Sequence, residues 1–327
     1  MNLTTKSILA GVAIFAASVF DSCSTPTSDM PNPTLYTKLN VVRSDGTGHL
    51  VLADGGWETI PTDSSIIFDN GNFKLFKVNY DGSDLTQLYP NIPWGDHSLS
   101  PNGDKIFLAS SYYYPGGYLG EFYLMNLDGS GLLKLSPTKA IYAWSRISPQ
   151  LDKIVFYRAG GIGIINADGS GLRFVRTKTD SSYCSFAEFV DEDNIIYFET
   201  LNSIQSFRLF KLTTLQDSFV GMNSGGFPAF SRSVVGSNLL IANLDTLKSF
   251  NINTGQVSIL GLGWCASFSS DGSQIVAYQG ATIYIMDSSG HNQHTIYSEQ
   301  DPAKSISNPL FSPDDKYVVF QTSWSVY

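Results

Sequence analysis

Short apolar runs separated by small polar turns recur along almost the whole chain. The clearest unit spans 99–135, where a Ser-Pro-Asn-Gly turn precedes one apolar run and an Asp-Gly-Ser-Gly turn follows another. Proline presets φ in a turn, and Asn-Gly accepts the positive φ that many turns require. Such runs between such turns predict β-strands joined as hairpins. Because one unit is too small to bury a core, the repeats must pack against each other.

The unit recurs seven times. Its first turn is anchored at these positions: Ile60, Ser100, Ser148, Val190, Ser231, Ser269 and Ser312. Successive anchors are 38 to 48 residues apart, which is the length that four short strands and four turns need. The sequence therefore predicts an all-β fold, a seven-bladed β-propeller with four strands in each blade.

The two ends of the chain carry half a repeat each. An Asp-Gly-Thr-Gly turn precedes the first complete repeat, and the last repeat stops after two strands. We predict that the last blade is closed by N-terminal outer strands at 39–43 and 49–53 and by C-terminal inner strands at 308–311 and 317–322. This closure leaves no exposed sheet edge at the seam.

Two segments resemble a known family. FSPDDKYVVF at 311–320 and YLMNLDGSG at 123–131 are similar to the signatures of the TolB-like, WD-related bacterial propeller repeat. The resemblance covers about 35–327 and implies the propeller fold. It implies little about function, because the signature residues belong to turns and packing. The family resemblance implies six blades and a separate α/β domain for TolB itself. This chain differs, because its seven repeats leave no room for that domain.

Composition and charge narrow the class of protein. The chain has 327 residues, of which 43% are hydrophobic and only 15% are charged, enough apolar sequence for one large β-domain. Its formal net charge of -9 argues against a nucleic-acid partner and against a general affinity for anionic membranes.

The first 23 residues have the features of a targeting segment. Lys6 gives a positive start, 8–20 is an apolar run too short for a confident membrane span, and Cys23 follows. This arrangement resembles a bacterial lipoprotein signal, with 1–23 as signal, 24–34 as a flexible tether and 35–327 as the propeller. We expect lipidation of Cys23 and attachment to the cell envelope, in the outer membrane. Secretion with an incidental cysteine is the alternative.

The other two cysteines are predicted to be free. Cys184 and Cys265 begin the inner strands of blades four and six, which are not neighbours in a ring of seven. We therefore expect buried thiols and no disulfide.

Chain direction determines which residues share a face of the propeller. The face where the innermost strands begin also carries the connections between the second and third strands, and we call it the entry face. Polar side chains expected near the channel mouth there are Glu58, Asp96, His97, Arg146 and Glu188. They predict either a pocket for a polar ligand or metal, or a solvated channel lining with internal ion pairs such as Arg146 with a carboxylate.

A tyrosine cluster lies on the same face, in the longest of these connections. It comprises Tyr112, Tyr113, Tyr114 and Tyr118. Tyrosine offers rigid contact area with a polar tip, which suits a protein partner or stacking on a sugar ring. Trp94 could join this surface or cap the core. The alternative is a hairpin extension whose tyrosines fold over the neighbouring blade.

Catalytic and metal signatures are nearly absent. The sequence contains no H-E-x-x-H, G-x-S-x-G, P-loop or G-x-G-x-x-G motif. His291 and His294 form a weak pair without a local carboxylate, and the Asp-Gly-Ser turns lack the carboxylate spacing of an EF-hand. The sequence therefore predicts no cofactor, no metal site and no catalytic residue.

Three functional hypotheses remain open. The first is a non-catalytic, monomeric, lipid-anchored propeller that binds an envelope protein or glycan. The second is a saccharide lyase or hydrolase that uses His97 with Asp96, Glu58 or Glu188 as acid and base and Arg146 as an anion clamp. The third is a structural subunit of an envelope complex.

Overall fold

The structure is a computed structural model that describes residues 34–326, except 57, 71–73, 90–94, 101–102, 115–116, 136–142, 159–160, 178, 180–181, 223–226, 229–233 and 244–245. For some strand residues, 112–114 and 118 among them, only the backbone is described. The described part of the chain contains 29 strands and no helix, and so no helical segment in it could cross a membrane.

The strands follow each other blade by blade. The N-terminal pair and blades 1 to 3 are β1 (Thr34–Arg43), β2 (Leu50–Asp54); β3 (Thr59–Pro61), β4 (Ser65–Asp69), β5 (Leu75–Asn79), β6 (Thr86–Tyr89); β7 (Gly95–Leu99), β8 (Lys105–Tyr114), β9 (Gly117–Asn126), β10 (Leu133–Lys134); β11 (Ala143–Ile147), β12 (Lys153–Arg158), β13 (Gly161–Asn166), β14 (Arg173–Arg176).

Blades 4 to 6 and the C-terminal pair complete the chain. They are β15 (Ser182–Phe189), β16 (Asn194–Leu201), β17 (Ile204–Lys211), β18 (Gln216–Met222); β19 (Phe227–Pro228), β20 (Val234–Val235), β21 (Asn238–Asn243), β22 (Thr246–Asn251), β23 (Val257–Leu262); β24 (Trp264–Phe268), β25 (Gln274–Gln279), β26 (Thr282–Asp287), β27 (His294–Ser298); β28 (Ser305–Phe311), β29 (Tyr317–Val326).

Seven antiparallel sheets confirm the seven-bladed propeller. Blade 7 has the strand order β2-β1-β29-β28, so the two chain ends share one sheet as the half-repeats predicted. β1 pairs with β29 along ten positions, from Thr34 opposite Val326 to Arg43 opposite Tyr317. The closing ladder is longer than the sequence indicated.

The core is divided among the blade interfaces. Seven clusters of buried residues each join two neighbouring blades, and the one between blade 7 and blade 1 closes the ring. On β4, Ile66 and Phe68 pack toward blade 7 and Ile67 packs toward blade 2. Side chains alternate between the two faces of a strand and both faces are buried here, so the second strand of each repeat is a continuous apolar run.

Side-chain hydrogen bonds explain the repeated turns. Ser312 Oγ donates to Asp314 Oδ1 at 2.7 Å and accepts from the backbone N of Tyr317 at 3.0 Å. In the other turn, Asp128 Oδ1 accepts from the backbone N and Oγ of Ser130 at 2.9 and 2.6 Å. These bonds hold the pKa of Asp128 below its usual value. Turn chemistry accounts for both motifs.

Blade 5 departs from the repeat. Its innermost strand is in two short pieces, β19 and β20, which both pair with β21. This blade lacks the Pro-Asp-Gly turn, and Pro228 has no N–H to donate to a ladder. Residues 229–233, between the two pieces, lie outside the described part of the structure.

The two cysteines of the propeller are free thiols, as predicted. Cys184 is buried and Cys265 is half-buried. Burial raises the pKa of Cys184 to about 12 and that of Cys265 to about 11.

Candidate functional site

A histidine and a carboxylate from neighbouring blades meet on the entry face. Glu58 immediately precedes β3 of blade 1, and His97 lies on β7 of blade 2. Glu58 Oε2 is 2.8 Å from Nδ1 of His97 and accepts a hydrogen bond from its backbone N at 3.1 Å. His97 is buried, while the Glu58 side chain is 42% exposed. One side of this pair is therefore open to solvent.

Asp69 completes a cluster of three with this pair. It is the last residue of β4, and its carboxylate oxygen, a Glu58 oxygen and a His97 ring nitrogen all lie within 4.8 Å of one another. Sequence reasoning missed Asp69, because it ends an apolar strand and looks like part of a turn. Its position at the end of a second strand, on the entry face, is the signal that could have found it.

Two glycines allow this cluster to form. Gly55 and Gly56 have φ of 111° and 97°, a region that glycine adopts readily. A Cβ on Gly55 would lie 2.6 Å from Asn70 Cα and 2.7 Å from the Asp69 backbone oxygen. The Gly56 N–H donates to that oxygen at 2.7 Å. The close approach of Gly55 and Gly56 to Asp69 fixes the backbone near Glu58 and Asp69.

Arg146 and Glu188 form a second contact on the inner strands. Arg146 Nε on β11 lies 3.4 Å from Glu188 Oε2 on β15, so the pair joins blades 3 and 4. Arg146 Nη1 also donates to the backbone oxygen of Ser145 at 2.9 Å. The internal ion pair expected for Arg146 is present. Among the described side chains of the predicted polar set, Glu58 contacts His97 between blades 1 and 2, and Arg146 contacts Glu188 between blades 3 and 4.

The tyrosine segment is a two-stranded ribbon rather than an open loop. β8 and β9 continue pairing to their ends, with Tyr112 opposite Leu119, Tyr113 opposite Tyr118 and Tyr114 opposite Gly117. The β-propensity of consecutive tyrosines favours this extended ladder. The side chains of these tyrosines lie outside the described part of the structure.

Other predicted residues are only partly described. The Asp96 backbone pairs with Ala109 on β8, and its side chain lies outside the described residues. Trp94 and Cys23 also lie outside them.

A second ribbon lies on the same face. In blade 7, β29 is the second strand and β1 is the third. The C-terminal end of β29 and the N-terminal end of β1 therefore lie on the entry face, beside blade 1. Tyr36 stacks on Trp324 with ring centroids 5.6 Å apart, and Lys304 Nζ lies 5.5 Å from the Trp324 ring. Tyr36 is 46% exposed. Sequence reasoning missed this pair, because the predicted closing ladder ends at 322 whereas β29 continues to Val326.

Blade 1 therefore lies between two projecting ribbons. The tyrosine ribbon belongs to blade 2 and the aromatic pair of Tyr36 and Trp324 belongs to blade 7, while Glu58 and Asp69 belong to blade 1 itself. Rigid scaffolds that present loops or ribbons on one face are typical of binding proteins. These features define a seven-bladed β-propeller with an elaborated entry face.

Comparison with known proteins supports the fold. No protein-family model matches the sequence, and no curated protein matches it. The propeller is similar to a puromycin-hydrolysing peptidase from Mycobacterium tuberculosis, with a TM-score of 0.58 and 15% identity over 77% of this chain and 48% of the peptidase. This chain therefore spans about half the length of that protein.

Two further solved structures are similar. The C-terminal WD40 domain of Sif2 matches with a TM-score of 0.53 and 12% identity, over 92% of this chain and 100% of that domain. TolB from Acinetobacter baumannii has a TM-score of 0.49 and 14% identity, over 89% of this chain and 64% of TolB. The likeness to the WD40 domain agrees with the propeller fold.

Proposed function

We propose that this chain is a non-catalytic envelope protein that binds a protein or glycan partner through the two ribbons of its entry face. The observation that carries the proposal is the extension of β8–β9 and β1–β29 on either side of blade 1. Paired strands fix the backbone before a partner arrives, so little backbone entropy is lost on binding. Aromatic residues are enriched at the centres of binding surfaces.

Attachment by a lipid on Cys23 forms part of the proposal. β1 begins at Thr34 on the entry face, and the roughly ten residues between Cys23 and Thr34 span at most about 35 Å. A lipid anchor would therefore hold the entry face toward the outer membrane. This orientation favours a partner at the membrane surface, either a membrane-bound protein or a surface glycan.

Partner capture from the envelope tests the proposal. The quadruple variant Tyr112→Ser, Tyr113→Ser, Tyr114→Ser, Tyr118→Ser should lose crosslinked envelope partners, or retention on a glycan panel, while Tm is unchanged. The matched control replaces His291 and His294, on the opposite face, with serine. It should keep both the crosslinked partners and the retention on the glycan panel. Capture that is equal for the two variants would remove the tyrosine ribbon from the binding surface.

A saccharide lyase or hydrolase is the second candidate. The contact between Glu58 and His97 favours it, because an acid and a base within hydrogen-bonding distance are what such chemistry needs. Arg146 would act as the anion clamp. Turnover on a panel of acidic and neutral glycans, lost in His97→Asn, would establish catalysis. Under the proposed function, the unmodified protein gives no turnover on the same panel.

A further inference from the structure

We propose that Glu58, Asp69 and His97 form a binding site for a divalent transition-metal ion such as Zn²⁺. The site goes beyond the proposed function and does not depend on a partner at the ribbons. Each of the three residues is a common metal ligand, and they come from different places in the chain: the residue before β3, the end of β4 and the middle of β7.

The donor set indicates the class of metal. An imidazole nitrogen suits Zn²⁺, Cu²⁺, Fe²⁺ and Ni²⁺, whereas Ca²⁺ and Mg²⁺ prefer oxygen ligands alone. One imidazole and two carboxylates are ligand types that Zn²⁺ accepts, and three protein ligands leave a fourth position for water or substrate. The two carboxylates would offset the charge of the ion.

The distances are compatible with coordination after small side-chain rotations. The three donor atoms lie within 4.8 Å of one another, and Glu58 Oε2 is 2.8 Å from His97 Nδ1. Ligands at about 2.0–2.1 Å from a tetrahedral Zn²⁺ are roughly 3.4 Å apart. The largest separation therefore needs to contract by at most about 1.4 Å. Glu58, whose side chain is 42% exposed, has room to rotate.

The backbone beneath the site is already in place. The Asp69 N–H donates to the backbone oxygen of Glu58 at 3.3 Å, and the Gly56 N–H donates to the backbone oxygen of Asp69 at 2.7 Å. The strand pairing of β3 with β4 fixes the separation of the two carboxylates, and packing of blade 1 on blade 2 places β7 beside them. Sites on rigid elements lose little entropy when a ligand binds.

Access and position give the site two expected properties. Glu58 is partly exposed, so an ion can enter and keep at least one position for water or an anionic ligand. Because His97 belongs to blade 2 and both carboxylates belong to blade 1, a bound ion would also link the two blades. Zn²⁺ should therefore raise Tm, and the rise should grow with the logarithm of the Zn²⁺ concentration above its Kd.

Calorimetric titration of Zn²⁺ into the chelator-treated full chain tests the site, with Mn²⁺ and Ca²⁺ titrated in parallel. We expect one Zn²⁺ per chain, weaker binding of Mn²⁺ and weakest binding of Ca²⁺. Glu58→Gln, Asp69→Asn and His97→Gln should each weaken Zn²⁺ binding by more than the 10- to 100-fold that loss of an outer-shell partner costs. Each variant should also lose the Zn²⁺-dependent rise in Tm.

The control is a double variant, His291→Gln with His294→Gln, which removes two exposed histidines from the opposite face. It should bind Zn²⁺ as the unmodified chain does. Circular dichroism establishes that each variant is folded, and Asp69→Asn and Glu58→Gln preserve side-chain shape. The proposal is overturned if the folded chain binds no Zn²⁺, if the control loses binding while the three variants keep it, or if Ca²⁺ binds more tightly than Zn²⁺.

Discussion

Replacing Glu199 with glutamine tests whether a buried charge network holds blades 3 and 4 together. The Glu199 side chain on β16 is only 2% exposed, and its Oε1 lies 2.7 Å from Nε and 2.6 Å from Nη2 of Arg176 on β14. Its Oε2 lies 3.6 Å from Nε of Arg208, which also donates to both oxygens of Asp217 at 3.0 Å. Burial acts to lower the pKa of Arg176, but hydrogen bonding and attraction to Glu199 raise it overall.

The expected loss of stability follows from these contacts. Removing one member of a buried ion pair costs about 3–5 kcal/mol. Arg176 is partly exposed and can regain water, and glutamine keeps one acceptor oxygen, so we expect a loss of about 2–3 kcal/mol from Glu199→Gln. One kcal/mol shifts Tm by roughly 2–4 °C for a large domain. The variant should therefore melt about 4–12 °C lower than the unmodified chain.

Urea unfolding and scanning calorimetry measure this loss. The matched control is Asp54→Asn, which breaks the pair of Lys38 with an 83% exposed Asp54 side chain and should cost less than about 0.5 kcal/mol. In a double-mutant cycle, Glu199→Gln and Arg176→Gln should couple by at least about 1 kcal/mol. Additive effects, or a loss no larger than that of Asp54→Asn, would refute a stabilising network.

Three more measurements test the packing. Burial lowers the pKa of His49, so the contribution of His49 to stability is complete above about pH 6.5 and falls as the pH drops below that value. His49→Phe should therefore reduce the slope of Tm against pH between pH 7 and 5. An unchanged slope would contradict this. Phe320→Ala should lower the free energy of unfolding in urea by about 3–5 kcal/mol, because Phe320 is buried in the closing blade. A loss below about 1 kcal/mol would show that the pairing of β1 with β29 does not depend on the packing of Phe320. The thiol of Cys184 should resist a disulfide reagent at pH 8 until urea is added, since burial raises its pKa to about 12, and rapid labelling of the folded chain at Cys184 would refute its burial.

The repeats made the strands and the closure predictable. The hydrogen bonds of the Ser312 and Asp128 turns span at most five residues, so local sequence is sufficient to specify them. The half-repeats at the two ends could complete a blade only by pairing with each other. Both features depend on backbone pairing and turn chemistry, which a repeated pattern displays directly.

The candidate site was only partly predictable. Glu58 and His97 were identified because they align at the starts of inner strands, but nothing local places Asp69 beside them. The stacking of Tyr36 on Trp324 joins residues from opposite ends of the chain. Contacts of this kind depend on how blades pack and close, and no short pattern records them.

The sequence by itself determined the number of blades, their turns and the shared sheet at the seam, because each rests on a period or an unpaired edge that can be counted along the chain. Only the tertiary structure decided which side chains meet on the entry face. Neighbouring blades are related by a rotation about the channel, so the contacts between Glu58, Asp69 and His97 depend on packing angles and side-chain conformations that the period does not encode.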